Sequence, residues 1–240
     1  MKLVTWNCSG AFRKKCHLIE SVCKPDLLVI QECEDPSKST SNYRKWAGDY
    51  LWIGKNKNKN KNNGIGIFDR SGLGLHALDW DPGRLELFLP VQLNSGPILL
   101  AVWTKEANSP TFKYIGQLWK YLKEHGDKLL NSDTALIAGD FNSNVRWDVW
   151  DRWWNHSDVV RELSDAGLKS FYHVFSNDEQ GEESKPTLFL QRNRGKPYHI
   201  DYVFGPDRLF NQPGFNLAVG EPDDWLQHSD NMPVSVEFDL

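Results

Sequence analysis

The sequence predicts a layered α/β body, and three observations carry that prediction. Short apolar runs of strand length recur along the chain, stretches with helical spacing lie between them, and the runs are continuously apolar rather than alternating. A near-continuous apolar run marks a strand covered on both faces, and interleaved helices supply that cover. The 240 residues suffice for one large core without disulfide or metal staples. No repeat and no Pro- or Ser-rich linker divides them, so residues 1–240 are expected to form one domain.

The elements follow in order. LVTWN (Leu3–Asn7) is a buried strand, and a helix over Arg13–Val22 turns Cys16, Leu18, Ile19 and Val22 inward. DLLVIQE (Asp26–Glu32) is the next strand, and LWIG, GIGIF and LELFLPVQL have strand character. ILLAVWT (Ile98–Thr104) is a buried strand, followed by helical spacing over Thr111–His125 through Tyr114, Ile115, Leu118, Trp119 and Leu122. TALIAGDF (Thr134–Phe141) is a strand, and a helix over Ser157–Ala166 stops before Gly167. HIDYVF, FNLAVG and MPVSVEF close the chain as strands. KNKNKNKNN (Lys55–Asn63) has four lysines and no apolar residue, and reads as an exposed loop or a basic arm that contacts phosphates. Continuous burial points to parallel strands, but periodicity alone does not settle their direction.

Composition narrows the class. Hydrophobic residues make up 40% and charged residues 25%, which excludes a disordered chain, a collagen and a coiled coil. No apolar run approaches the ~18 residues that span a bilayer. MKLVTWNCSG is not a secretion signal, so a cytoplasmic monomer without membrane contact is expected. The net charge of −4 argues against a basic coat protein but not against an enzyme acting on nucleic acid, because only the site must be basic. Cys8, Cys16, Cys23 and Cys33 match no zinc spacing and read as reduced thiols. Eleven Trp exceed what a core this size needs, leaving some for a binding surface.

Chemistry gathers at strand ends. Asn7, Glu32, Asp140 with Asn142, and Asp201 all stand at the ends of apolar runs, and Asp230 precedes the last strand. One such residue is a cap or a turn former. Five converging ends make a carboxylate and amide cluster that suits Mg²⁺ or Mn²⁺ rather than zinc. Metal-assisted attack of water on a phosphodiester fits that cluster.

Five strings, TWN (Thr5–Asn7), QE (Gln31–Glu32), GDFNSN (Gly139–Asn144), HIDYVF (His199–Phe204) and SDNMPV (Ser229–Val234), occur in an order and spacing that resembles the endonuclease/exonuclease/phosphatase superfamily of deoxyribonuclease I and exonuclease III types. The resemblance covers the whole chain. It implies a four-layered α/β sandwich, with two mostly antiparallel sheets face to face and helices outside. It also implies roles: Glu32 as the principal metal ligand with Asn7 beside it, Asp140 as the group that orients and deprotonates water, and Asn142 as a donor that positions water and phosphate. Asp201 corresponds to the acid that orients a terminal His, and Asp230 to a second metal-side carboxylate. The chain departs at position 231, where the family writes His and this sequence has Asn231. Asn donates a hydrogen bond but carries no imidazolium charge, a change that costs ~10²–10⁴ in rate. Three readings stand: a deliberately disabled chain, a natural variant of weak activity, or a natural pseudoenzyme. The intact partners, Asp201 above all, favour the first.

Two segments bear on substrate. Arg192, Arg194 and Lys196 precede the Asp201 strand, as a solvated hairpin tip or as phosphate contacts. NVRWDVWDRWW (Asn144–Trp154) carries four Trp directly after the GDFN motif. At helical spacing Trp147, Trp150 and Trp154 share a face and pack into the core. The alternative is a stacking platform for unpaired bases, using Trp150 and Trp153. Trp103 has no role that the sequence assigns. The resemblance thus implies a Mg²⁺- or Mn²⁺-dependent nuclease acting on DNA, with a lipid or small-molecule phosphoesterase and a silent nucleic-acid binder as alternatives. A lipid enzyme would present an exposed apolar hairpin, which the sequence does not reveal.

Overall fold

The structure is a computed structural model, which describes residues 1–54, 62–94, 96–106, 109, 111–130 and 134–240. The basic run expected at 55–61 therefore lies outside the described residues. The first half of the chain forms β1 (Lys2–Asn7), α1 (Cys16–Cys23), β2 (Leu27–Cys33), α2 (Ser41–Ala47), β3 (Asp49–Gly54), β4 (Gly64–Asp69), β5 (Leu75–Ala77), β6 (Phe88–Leu93), β7 (Ile98–Trp103) and α3 (Ile115–Leu130). The second half forms β8 (Ala135–Asp140), α4 (His156–Asp165), β9 (Leu168–Ser170), α5 (Phe171–Ser176), β10 (Leu188–Phe189), β11 (Pro197–Tyr198), β12 (Asp201–Pro206), α6 (Asp207–Phe210), β13 (Asn216–Val219), α7 (Pro222–Trp225) and β14 (Val234–Glu237).

Two six-stranded sheets result, ordered β13-β14-β1-β2-β4-β3 and β5-β6-β7-β8-β12-β9. Each has one parallel pair, β1–β2 and β7–β8, and is otherwise antiparallel. The parallel pairs sit at the centre, where the most continuous apolar runs lie. Side chains of each sheet alternate between one shared core and an outer core of its own. Leu3, Val29 and Ile67 from one sheet meet Leu99, Leu136 and Val203 from the other. Val4, Trp6 and Ile30 face outward, under Cys16 and Ile19 of α1 and Tyr43 and Trp46 of α2. Leu100, Ile137 and Tyr202 face the opposite way, under Leu118 and Tyr121 of α3 and Val159 and Leu163 of α4. This is the four-layered sandwich that the resemblance implies.

Several local expectations are corrected. Residues Phe12–Lys14 form a 3₁₀ turn, and α1 starts only at Cys16. Its buried stripe runs through Cys16 and Ile19, which leaves Val22 about 100° away and 57% exposed. Tyr114 has a positive φ of 49° and precedes α3 rather than joining it. The Trp-rich segment is no helix: Asn144 Oδ1 accepts from Arg146 N and starts a single 3₁₀ turn that ends at Trp147. The shared helical face and its core packing therefore fail, and Trp150 is 95% exposed. The four cysteines are free thiols, as expected.

Candidate active site

The strand ends meet at one rim, between the two sheets. Parallel pairing puts the C-terminal ends of β1 and β2 side by side, delivering Asn7 and Glu32. The C-terminal ends of β7 and β8 deliver Trp103 and Asp140 as register partners. β12 runs antiparallel to β8, so its first residue, Asp201, stands opposite Asp140. The segment before β14 reaches the same rim because Thr5 of β1 pairs with Val234.

Backbone geometry aims these side chains. The β2–β4 register shifts between Gln31 and Cys33, a bulge that holds Glu32 at φ 63°. A bulge re-aims one side chain out of the pleat, here toward the cleft. Asn142 is also left-handed, at φ 46°. Such strain in non-glycine residues persists only where surroundings enforce it. At Asn142 the surroundings are explicit: its N–H donates to Asp140 Oδ1 at 2.8 Å and its Nδ2 to the Thr104 carbonyl at 2.9 Å. Gly139, just before, has φ 150°, and a Cβ there would lie 1.9 Å from the Val102 carbonyl oxygen.

Asn7 Nδ2 donates to Asp140 Oδ2 at 2.8 Å and toward Glu32 Oε1 at 3.3 Å, tying the two sheets together. Its own Oδ1 accepts from Ser9 N. Burial pushes the Asp140 carboxyl up to about 7; the Glu32 charge adds to this, while the bonds from Asn7 and Asn142 and the Lys105 charge oppose it. Asp201 is fully buried, and burial followed by the Asp140 charge pushes it well above the ordinary carboxylate range. Asn231 Nδ2 donates to Asp201 Oδ2 at 2.9 Å, and Thr187 and Asn231 both oppose the rise; among the described residues Asp201 Oδ1 has no partner in hydrogen-bonding geometry. Asn231 is fixed in place: its N–H donates to Ser229 Oγ, and its carbonyl accepts from Trp6 Nε1 at 2.8 Å. Asp230 is less integrated. Its carbonyl accepts from Phe189 N, and its carboxyl reaches the cluster through charge alone, as a minor contribution to raising Asp201.

The structure brings together Asn7, Glu32, Asp140, Asn142, Asp201 and Asn231. It places Arg192, Arg194 and Lys196 on the tip of the β10–β11 hairpin, with Arg194 paired to Asp223 and Arg192 donating to the Gln227 carbonyl. That hairpin adjoins the site, since Leu188 bridges to Asn231. Two residues, Lys105 and Lys15, escaped the sequence reading, and Asn144 entered it only as the end of GDFNSN. Lys105 Nζ lies 3.8 Å from Glu32 Oε1 and 3.8 Å above the Trp103 ring. Lys15 Nζ donates to the carbonyls of Gly10 and His228, at 2.9 and 2.7 Å, pinning the loop after β1 to the segment before Asn231. Asn144 Nδ2 bonds Glu183 Oε1 and the His199 carbonyl, each at 3.0 Å, which locks the turn after Asn142 to the start of β12. Only the position of Lys105, two residues past a strand end, was a signal.

Glu32, Trp103, Lys105, Glu106, Tyr114 and Asn142 line a cleft of about 360 Å³. A larger hollow of about 650 Å³, between β3 and the β5–β6 region, contains none of the candidate residues. The donor set suits a hard cation: the partly exposed Glu32 carboxylate lines the cleft, and its neighbours Asn7 and Asn142 are amides rather than His or Cys. Among the described residues no three His, Cys, Asp or Glu side chains enclose a metal. A cation held here by one or two carboxylates would keep water and substrate oxygens in its shell, as Mg²⁺ does.

A family model described as the endonuclease/exonuclease/phosphatase family matches residues 4–223. Curated proteins return no match. Among solved structures, a 3′ phosphatase from Neisseria bound to a product DNA hairpin superposes with a TM-score of 0.76 at 21% identity, covering 100% of both chains. A 3′-5′ exonuclease from Neisseria meningitidis gives 0.73 at 23%, again covering 100% of each. An AP endonuclease from Archaeoglobus fulgidus gives 0.70 at 18%, with the same full coverage. Among the described residues, no helix is long and apolar enough to cross a membrane.

Proposed function

The chain belongs to the endonuclease/exonuclease/phosphatase family, and from that premise we propose that it is a divalent-metal-dependent nuclease whose substrate is a DNA phosphodiester. The observation that carries the proposal is the bridge from Asn7 to both Asp140 and Glu32. That bridge ties buried Asp140, our base candidate, to the partly exposed carboxylate of Glu32, which lines the cleft.

Glu32, assisted by Asn7, would hold Mg²⁺ or Mn²⁺, with Asp230 as a further carboxylate at the rim. When bound, such a cation neutralises phosphate charge and polarises the scissile bond. Asp140 then acts as the base. Burial raises its carboxyl above the ordinary range, which makes it a better proton acceptor than an exposed carboxylate. Asn142 and Asn7 hold the Asp140 carboxylate in one orientation. Asn231 donates to Asp201, or to a phosphate oxygen if that bond opens, but supplies no positive charge. Lys105, beside Glu32, supplies a cation to the cleft.

The Neisseria structure with a DNA hairpin supports DNA as the substrate class, as does the cationic hairpin beside Asn231. One observation favours a second reading, a lipid phosphodiesterase. The structure exposes an apolar loop that the sequence did not reveal, in which Trp147, Val149, Trp150 and Trp153 are 43%, 40%, 95% and 65% exposed. The deciding experiment assays plasmid, single-stranded DNA, RNA and phosphatidylcholine vesicles with Mg²⁺, Mn²⁺ or chelator, using the parent and Asn231→His. Metal-dependent cleavage of DNA supports the nuclease. Cleavage of lipid alone favours the second reading. Oligonucleotide binding without cleavage by either form favours a silent binder.

A further inference from the structure

The loop from Asn144 to Trp154 is unlike a mobile surface loop, because its own polar side chains pin it at both ends. Asp148 accepts from His156 N at 2.8 Å and Ser157 N at 3.2 Å. Asn155 accepts from Val149 N at 2.9 Å and donates to the Val149 and Arg152 carbonyls at 3.0 and 2.9 Å. Arg152 donates to the Trp147 carbonyl at 3.0 Å. Three of the four indoles are buttressed as well, while Trp150 stands out at 95% exposure. Trp154 packs on Phe112 with ring centroids 4.7 Å apart, and Trp153 stands edge-on to Trp154 at 5.0 Å and 90°. Trp147 meets the Tyr198 ring at 5.1 Å, joining this loop to the β10–β11 hairpin.

A rigid display of exposed indoles opposes the hydrophobic effect, and patches of this kind mark binding surfaces. Charge selects between partners. Arg146, about half exposed and ion-paired with Glu182, begins the loop, and Tyr198 leads into a hairpin that carries Lys196 and Arg194, the latter paired with Asp223. The Asp148 carboxylate is occupied in capping α4, while Asp151 is exposed. Exposed aromatic faces joined through Trp147 and Tyr198 to a basic hairpin before the Asp201 strand suit a strand of phosphates with bases turned outward.

We propose that Trp147, Trp150 and Trp153 form a stacking platform for unpaired bases, so that the protein prefers single-stranded nucleic acid, or a frayed end, over intact duplex. The proposal rests on the nuclease reading and deepens it by naming the substrate class. The duplex can be cleaved without the platform, so the two fail separately.

The test measures binding of an oligo-dT, a blunt DNA hairpin and phosphatidylcholine vesicles at low salt, without added metal. It compares the parent with Trp150→Ala, Trp153→Ala and Trp150→Phe. The indoles are exposed, so the variants should fold, and circular dichroism checks this. Oligo-dT should quench tryptophan fluorescence in the parent. Each Ala variant should lose ~5- to ~150-fold in oligo-dT affinity, the range for one lost stacking contact, and less for the hairpin, while Trp150→Phe recovers part of the loss. Equal losses for both DNAs, or no loss, overturn the platform and leave the nuclease reading standing. Vesicle binding that depends on Trp150, with no oligonucleotide binding, overturns both in favour of a lipid surface. If no probe binds, the platform falls, and the cleavage assay with Mg²⁺ or Mn²⁺ decides the nuclease reading.

Discussion

Position 231 shows how much one side chain controls. Asn231 occupies a finished socket: Ser229, Trp6 and Asp201 all bond it. Because the socket is complete, Asn231→His should insert without refolding the rim. It should raise phosphodiester hydrolysis by ~10²-fold or more, the usual magnitude of a positioned acid or base. Equal turnover of the two forms, measured with saturating Mg²⁺, would mean this chain never used the position. A second expectation concerns Asp140. Its folded value of about 7 exceeds the ordinary 3.8, so the folded state holds the proton more tightly than the unfolded state does. The stabilisation is complete below pH ~4 and is lost as pH rises to about 7, by up to ~4 kcal/mol. His156 and His199, pushed down to about 4 by burial, act in the opposite sense as pH falls from 6.5 to about 4. The clean observable is therefore a difference. The Tm of metal-free Asp140→Asn minus that of the parent should grow from pH 4 to pH 8, and a constant difference would remove the buried acid from the account. At Glu32, replacement by Gln should weaken Mg²⁺ or Mn²⁺ binding by calorimetry; undiminished affinity would sink its assignment as ligand.

Elements place these residues, and they do so through short irregularities rather than through regular structure. Gly139 is one: φ 150° and the Val102 carbonyl leave no room for a side chain. Gly139→Ala should therefore cost ~3 kcal/mol or more in urea unfolding, and a loss under ~1 kcal/mol would show that β7 and β8 can part there. The apolar runs made the strands legible, because burial on both faces writes itself as continuous Val, Leu and Ile. The strand ends made Asn7, Glu32, Asp140 and Asp201 legible. The bulge at Glu32 left no trace in LLVIQEC, because it depends on the register with β4. The Trp-rich loop was misread for a related reason. Trp147, Trp150 and Trp154 obey helical spacing, but Asn144 caps a 3₁₀ turn and Asp148 captures the start of α4, so the intervening backbone follows side-chain hydrogen bonds. Lys15 was invisible because its acceptor at His228 is remote in sequence.

Across the whole molecule, charge is distributed against the net. A chain of −4 gathers Lys105 beside Glu32, and sets Arg192, Arg194 and Lys196 on a hairpin next to Asn231. Oligonucleotide binding should accordingly weaken with salt, and replacing Arg192 and Arg194 with Ala should flatten the log–log slope by ~0.7–0.9 per lost phosphate contact. A slope unchanged in that variant would assign both arginines to structure, a role that Asp223 and Gln227 already offer them. The site also joins distant parts of the chain. Thr5 pairs with Val234, and the indole of Trp6 holds the Asn231 carbonyl. During synthesis this has a consequence. A nascent chain that has passed residue 201 has made Asn7, Glu32, Asp140 and Asp201, yet β1 still waits with an open edge for β14. The rim therefore cannot close until β14 has paired with β1, so Asn231 meets Asp201 only after segments more than two hundred residues apart have joined.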